Sequence, residues 1–559
     1  MLSHEAVLVN LLLLAGLCLF AWEAPARRTW ARLAAVSLLL GLTGWYALWR
    51  WQQTLPGLEW TFAPLWPWSF FAAEMAVTAY EAWSFFVLVR LTDHSPRADL
   101  HESRLRQEPA LPSVDVFIPT YNEPREVLEA TLRGALALDY GGLVRVWVLD
   151  DGGRPWLREL CAERGAGYLA RPTNGHAKAG NLNHAFARTG GELILVIDAD
   201  FVLRPGFLYR TAGFLLYEEG IALVQTPQRF KNPDPIQHNL HGTRSWTEEQ
   251  HFFMTVAQSA RDAWDNAFCV GSGWLVKRSA AEALGGFPQE SLCEDLEISY
   301  ALRGRGQRTL FLNEPLAFGL APESLPEYVK QRVRWCSGTM QHAWLATGPF
   351  RARGLSLLDR LFYLETLAFW FTYPFVVLVL LAPLVFWYTG VSALAASGDD
   401  ALLVILPRFA AVWVLTWWLS LKKVLPPIAM IHKALPAFHL TAAILKALWR
   451  PFGAPFKVTA KGEARDRVVI QWGFLWIFLA LGAALLFGMW MNLSGLNEVV
   501  PVGASTALDV FWSGYVLLVC LLCGLACIEL PRPKDAPQGE AVRAEPLAAL
   551  RAVLGRLFA

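Results

Sequence analysis

Long apolar runs and short ones alternate with polar stretches along this chain, and they separate two kinds of structure. Uncharged runs at 6–22, 33–49, 371–388, 470–491 and 510–528 are each long enough to cross a bilayer as a helix. Runs at 66–89 and 402–421 are of similar length but carry Glu74, Glu81 and Arg408. Seven spans are therefore expected. Between the third and fourth, the pattern changes to short β-branched runs at 114–119, 144–149 and 193–197, with amphipathic stretches at 125–138, 154–164 and 178–189. A strand buried on both faces reads as a continuous apolar run, so this rhythm predicts a mostly parallel α/β sheet inserted in an all-α bundle. Ligands bind such sheets beyond the carboxyl ends of the strands. There the sequence places TYNE (120–123), DDGG (150–153) and DAD (198–200).

Composition agrees with a membrane protein: 54% of the 559 residues are hydrophobic, and the net charge is only +1. A near-neutral chain sets up no field to recruit nucleic acid. Basic residues give the orientation. Arg27, Arg28 and Arg32 join the first two spans, and Lys422, Lys423, Lys433, Lys446 and Arg465 lie between the fifth and sixth, while the opposite loops at 55–65, 390–400 and 492–508 hold no Lys or Arg. The positive-inside rule then puts the N-terminus outside and the polar segment 92–325 in the cytoplasm, in a multi-pass inner-membrane protein surrounded by lipid. The first run lacks a basic leader and a small-residue cleavage site, so it is expected to stay as an anchor. The eight cysteines fall in cytoplasmic or lipid-spanning stretches and predict no disulfide framework.

The strand ends carry chemistry. Asp198 and Asp200, one residue apart in an extended run, can present two carboxylates to one side, which suits a hard cation such as Mg²⁺ or Mn²⁺. Alone, such a pair is more often a turn. Asp150 and Asp151 before two glycines can hold a base or ribose hydroxyl, or simply end the strand. Lys178 near a helix start can meet a diphosphate. Asp295, after Glu294 in SLCED, is either a helix cap, a general base, or both. In QRVRW, Gln331, Arg334 and Trp335 share a helical face, Arg334 suited to a diphosphate and Trp335 to a sugar ring. A membrane-surface helix is the competing reading.

Taken in order, Asp150/Asp151, Asp198–Ala–Asp200, Cys293–Glu294–Asp295 and Gln331–Arg–Val–Arg334–Trp335 resemble the D, DxD, TED and QxxRW motifs of processive family 2 glycosyltransferases, most closely the bacterial cellulose synthases. Phe456, Val458, Thr459 and Lys461 are similar to the FxVTxK gating loop of those enzymes, and PTYNE resembles their uridine-contacting segment. The resemblance implies a GT-A-like domain and UDP contacts from Thr120, Tyr121, Glu123, Asp150, Asp151, Lys178, Asp198, Gln331 and Arg334. It further implies a metal at Asp198 and Asp200, an acceptor held at Trp335 and Glu294, and Asp295 as the base. Cys293 departs from the usual Thr. Only 29 residues follow Leu530, so no cyclic-di-GMP-binding domain is expected in this chain.

The expected activity is inverting polymerisation of glucose from UDP-glucose, with the growing glucan exported through the bundle; a periplasmic export partner is compatible with it. Cellulose-like β-1,4, curdlan-like β-1,3 and mixed linkages all remain open, as does another UDP-hexose(amine) donor. A lipid-linked single transfer and a non-catalytic transporter or scaffold are the rivals. The expected layout is three spans in 1–91, the transferase in 92–325, interfacial helices in 326–369, four spans in 370–530 with the gating loop at 450–463, and a cytoplasmic tail at 531–559.

Overall fold

The computed structural model describes residues 4–397, 400–453, 459, 461–462, 464–496, 499–500 and 506–532. Phe456, Val458 and all but two residues of the 531–559 tail lie outside the described residues.

Ten strands build two sheets within residues 114–319. They are β1 (Val114–Thr120), β2 (Val144–Asp150), β3 (Gly167–Ala170), β4 (Leu193–Val196), β5 (Val202–Leu203), β6 (Ile221–Gln225), β7 (Gln228–Phe230), β8 (Trp274–Lys277), β9 (Arg308–Phe311) and β10 (Ala317–Gly319). Seven of them form the main sheet in the order β3-β2-β1-β4-β8-β6-β9. All run parallel except β8, which is antiparallel to β4 and β6. The expected α/β class and mostly parallel sheet hold. The β-branched runs are strands because both faces are covered: Val114, Val116 and Ile118 of β1 enter one core, and Phe117 enters the other. Register aligns Thr120 with Asp150, and Phe117 with Val196, so β1, β2 and β4 open at one edge of the sheet.

Helices account for all seven apolar runs, but their lengths differ from the expectation. Four described helices are long and apolar enough to span a membrane: Thr29–Gln53, Leu357–Thr389, Trp472–Leu493 and Leu508–Ala526. Pro426–Ala434 and Ala437–Trp449, bent by 57° at the break between them, make a fifth if they are one span. Phe62–Val87 is long enough but rich in Trp, Pro and Glu, which lowers its mean hydropathy, and Leu403–Leu419 is short. The stretch 357–366, expected to be a separate interfacial helix, continues into the helix that follows it.

Charges inside the bundle are paired across helices. Arg50 is fully buried and meets Glu74 at 2.9 Å, with Thr54 at 2.5 Å; Glu74 also accepts from the Tyr46 hydroxyl. Arg408 lies 3.4 Å from Glu81. Glu74 and Glu81 are thus engaged in bonds between helices. Arg32, also fully buried, donates to the carbonyls of Leu88 (2.5 Å) and Leu419 (2.9 Å), which end two helices. A cation there satisfies open carbonyls and opposes the helix dipoles.

Removing one partner of a buried pair strands the other. Arg50→Met should destabilise the detergent-solubilised protein by about 3–5 kcal/mol, whereas Arg50→Met/Glu74→Leu should recover most of the loss. Thermal unfolding of both variants checks this; equal melting temperatures would rule it out.

Candidate active site

At the ends of β1 and β2 two turns close on each other. The Glu123 carboxylate accepts from the Thr120 hydroxyl (2.5 Å) and the Tyr121 backbone N–H (2.8 Å), which bends TYNE back upon itself. Gly152 is needed beside it: a Cβ at that position would lie 2.3 Å from the Tyr121 carbonyl. Asp150 is fully buried and its carboxylate is occupied internally. It accepts from the backbone N–H of Gly152 (2.9 Å) and Arg154 (2.7 Å), from the Arg154 guanidinium, and from the Tyr168 hydroxyl (2.9 Å). Arg154 in turn donates to the Thr120 hydroxyl at 2.7 Å. Asp151 faces the other way and accepts two bonds from Arg171, at 2.5 and 2.7 Å. Tyr121, Asp151, Arg154, Trp156 and Arg171 line a cleft of about 1060 Å³, with the Tyr121 ring exposed at its rim.

The second group gathers around a lysine. Lys178 donates to the Asp198 carboxylate at 2.6 Å and to the Gly271 carbonyl, and lies 3.7 Å from Glu294. Burial opposes its charge, but Asp198 and Glu294 outweigh burial, so its pKa is raised. Lys461 donates to Asp200. Burial raises the Asp200 pKa, with Lys461 pulling it down. Each carboxylate of the DxD pair is thus already matched to a positive charge. Two hard oxygen donors, Asp198 and Asp200, fit a divalent cation that keeps water and phosphate oxygens as its remaining ligands. No group of three or more His, Cys, Asp or Glu suited to a metal occurs among the described residues, so the protein would supply only part of the coordination shell.

Asp295 lies in the first turn of the helix Glu294–Arg303, where Cys293 is the N-cap residue and makes no side-chain cap. The helix-cap reading of Asp295 is therefore corrected: among the described residues its carboxylate accepts from the adjacent Leu296 N–H, at 2.8 Å. Burial pushes its pKa up to about 7, Glu294 adds to the rise, and Lys178 opposes it. Gly271, at φ +95°, brings the 269–273 loop so close that a Cβ there would lie 3.0 Å from this carboxylate.

QRVRW falls on the helix Leu325–Gln341. Trp335 and Asp295 line one cavity of about 540 Å³, together with Cys293, Trp246, Trp370 and Tyr373. Gln331 is buried, and Arg334 is half-buried, its charge reaching Cys293. Arg332, which the motif reading passed over, pairs with Glu249 and stacks 3.2 Å from the Tyr328 ring centroid. Arg154 and Arg171 were also missed. Arg154 carried a signal, four residues after Asp150; Arg171 carried none. Thr459 has a buried hydroxyl without a hydrogen-bond partner, and Lys461 sits on Asp200 rather than facing open solvent.

A family model described as "Glycosyltransferase like family 2" matches residues 112–338. The chain is 35% identical over 480 residues to cellulose synthase 1 of Komagataeibacter xylinus, covering 83% of this chain and 30% of that one. It is 30% identical over 532 residues to the UDP-forming cellulose synthase catalytic subunit of Pseudomonas fluorescens, covering 92% of this chain and 69% of the relative. It thus spans about a third of the length of some curated relatives and about two thirds of others. Among solved structures, a mannosyltransferase of Pyrobaculum calidifontis in complex with GDP-Man and Mn²⁺ is 18% identical, with a TM-score of 0.41, over 67% of this chain and 99% of that one. By its identity and coverage, the chain belongs to the cellulose synthase-like family 2 glycosyltransferases.

Proposed function

We propose that this protein is a processive, inverting β-glucan synthase that polymerises glucose from UDP-glucose on the cytoplasmic face of the inner membrane. The observation that carries this reading is the shared cavity of Asp295 and Trp335, set against the Lys178–Asp198 cluster. A sensor or scaffold needs no buried base beside an aromatic platform. The names of the relatives favour glucose and a β-1,4 linkage.

The nucleotide occupies the cleft at Tyr121, with Asp151 and Arg171 toward the ribose and base. Asp150, saturated by its own turn, shapes that cleft by fixing Arg154 and Thr120. A divalent cation held by Asp198 and Asp200 supplies positive charge against the departing diphosphate. Lys178 and Arg334 add theirs. Asp295 takes the proton from the acceptor hydroxyl of the terminal glucose, which rests on Trp335 beside Glu294 and Gln331. That oxygen attacks C1 from the face opposite UDP, and one displacement converts the α-linkage to β. The product then extends from the cavity past Trp370 and Tyr373 among the helices of the 370–530 region. Lys461 exchanges between Asp200 and the diphosphate.

Purified protein given radiolabelled UDP-glucose with Mg²⁺ or Mn²⁺ should release UDP and form polymer that a β-1,4-glucanase digests. Digestion by a β-1,3-glucanase alone would reassign the linkage, and transfer of a single sugar to lipid would refute processivity. Asp295→Asn should lower kcat on the order of 10²–10⁴-fold while UDP affinity is retained. Because the base must be ionised and its pKa is raised to about 7, kcat/KM should rise with pH along a limb at about 7 or below, a bound cation shifting it down. A flat wild-type profile from pH 5 to 8 would remove Asp295 from this role. Lys461→Met should tighten Mn²⁺ binding in the absence of nucleotide, because Asp200 loses its competing ammonium, and should slow turnover; weaker Mn²⁺ binding would contradict this.

A further inference from the structure

Gln225, the last residue of β6, is fully buried and lies outside both the nucleotide cleft and the acceptor cavity. Its side-chain nitrogen donates to the carbonyls of Thr226 (2.7 Å), Ser272 (2.8 Å) and Gly273 (3.2 Å), and its oxygen accepts from the Val270 N–H at 2.9 Å. Three residues on, Gln228 donates to the Val270 carbonyl at 2.6 Å. Two glutamines therefore grip both sides of the 269–273 loop by its backbone. Such a buried amide costs stability unless every bond is made, and here the bonds are made.

What the loop touches gives the glutamines their meaning. The Ser272 hydroxyl accepts from the Asp198 N–H at 2.9 Å. The Gly271 carbonyl accepts from Lys178. The Cys269 N–H donates to the Ser299 hydroxyl at 2.7 Å, and Ser299 donates to the Asp295 carbonyl at 3.0 Å. One five-residue loop thus contacts the cation-binding acid, the lysine and the helix of the base. These three come from separate parts of the chain, and their sequence neighbours alone do not set their spacing.

We propose that Gln225 is a positioning residue for the transfer: through the 269–273 loop it fixes Asp198, Lys178 and Asp295 relative to one another, with Ser272 as the link to the cation site. This rests on the transferase reading for its role in turnover, though not for its role in cation binding. Displacements of about 1 Å in such a constellation change rates by on the order of a hundredfold.

The test is Gln225→Met, which keeps the length and removes all four bonds, with Ser272→Ala as a second variant that cuts only the link to Asp198. Mn²⁺ affinity is read by electron paramagnetic resonance, UDP affinity by calorimetry without metal, and kcat and KM by UDP release. Both variants should bind Mn²⁺ at least about fivefold more weakly and bind UDP within about twofold of wild type. Gln225→Met should lower kcat by about ten- to a hundredfold with little change in KM. Wild-type Mn²⁺ affinity and kcat in either folded variant would overturn the proposal, as would UDP affinity falling in step with kcat. If Gln225→Met does not fold, Ser272→Ala decides alone. If the wild-type protein releases no UDP, the transferase reading fails and the Mn²⁺ titration still judges the positioning.

Discussion

Crowding of like charge at the end of the central sheet is the constraint on which the rest of this molecule depends. Asp198, Asp200, Glu294 and Asp295 are brought together from a strand end and a helix start. Their mutual repulsion opposes the fold unless cations stand among them. Lys178 and Lys461 do so, each on a different acid of the DxD pair. In the proposed reaction a divalent ion and a diphosphate would enter this balance together, their opposite charges adding little net charge. The crowding also bears on Asp295, whose pKa burial and the neighbouring Glu294 raise to about 7 against the pull of Lys178.

The membrane bundle obeys a related rule in a medium with no water to screen charge. Arg50 with Glu74, Arg408 with Glu81, and Arg32 on two helix ends are all contacts between different helices. Apolar packing against lipid gives little preference for one helix neighbour over another, whereas an unpaired buried charge strongly selects its partner. The arginines read from the sequence as orientation signals thus include one, Arg32, that also fixes how the helices meet.

Legibility in the sequence followed the range of the interaction. Strands β1, β2 and β4 were readable to within a residue because burial on both faces writes a continuous apolar run. Asp198, Asp295 and Trp335 were readable because motif order carried them. By contrast, β8 is a four-residue strand whose direction is set by neighbours far along the chain, and nothing local marks it as antiparallel. The Asp151–Arg171 pair and the Gln225 grip on the 269–273 loop join residues 20 and 45 positions apart, beyond any helical or strand period. Asp150 was read as a free ligand because its type and place allow it; only the Arg154 side chain, folding back, shows that its oxygens are occupied. The described helices give fewer long apolar spans because Leu8–Glu23 and Leu403–Leu419 are short, and because tryptophan, proline and glutamate lower the mean hydropathy of Phe62–Val87.

Asp295, the base of the proposed reaction, sits at the joint between two cores, which connects the proposed chemistry to the membrane. On the helix Glu294–Arg303, Leu296 and Tyr300 pack into the cluster formed by Tyr328, Cys336, Tyr373, Ile431 and Phe478, which belongs to the bundle. Ile298 and Leu302, on the opposite face, pack into the cluster under Phe117, Val196 and Trp274, which belongs to the sheet. Trp335 packs against the first cluster, whereas the strand leading to Asp198 belongs to the sheet. This ten-residue helix therefore joins a displacement of the bundle to one of the sheet. Close-packed cores transmit strain rather than absorb it. The distance between the acceptor platform and the cation site is then set by how this helix seats in both cores at once. That places control of the reacting distance in apolar contacts around Leu296, Ile298 and Leu302, away from any charged residue of the site.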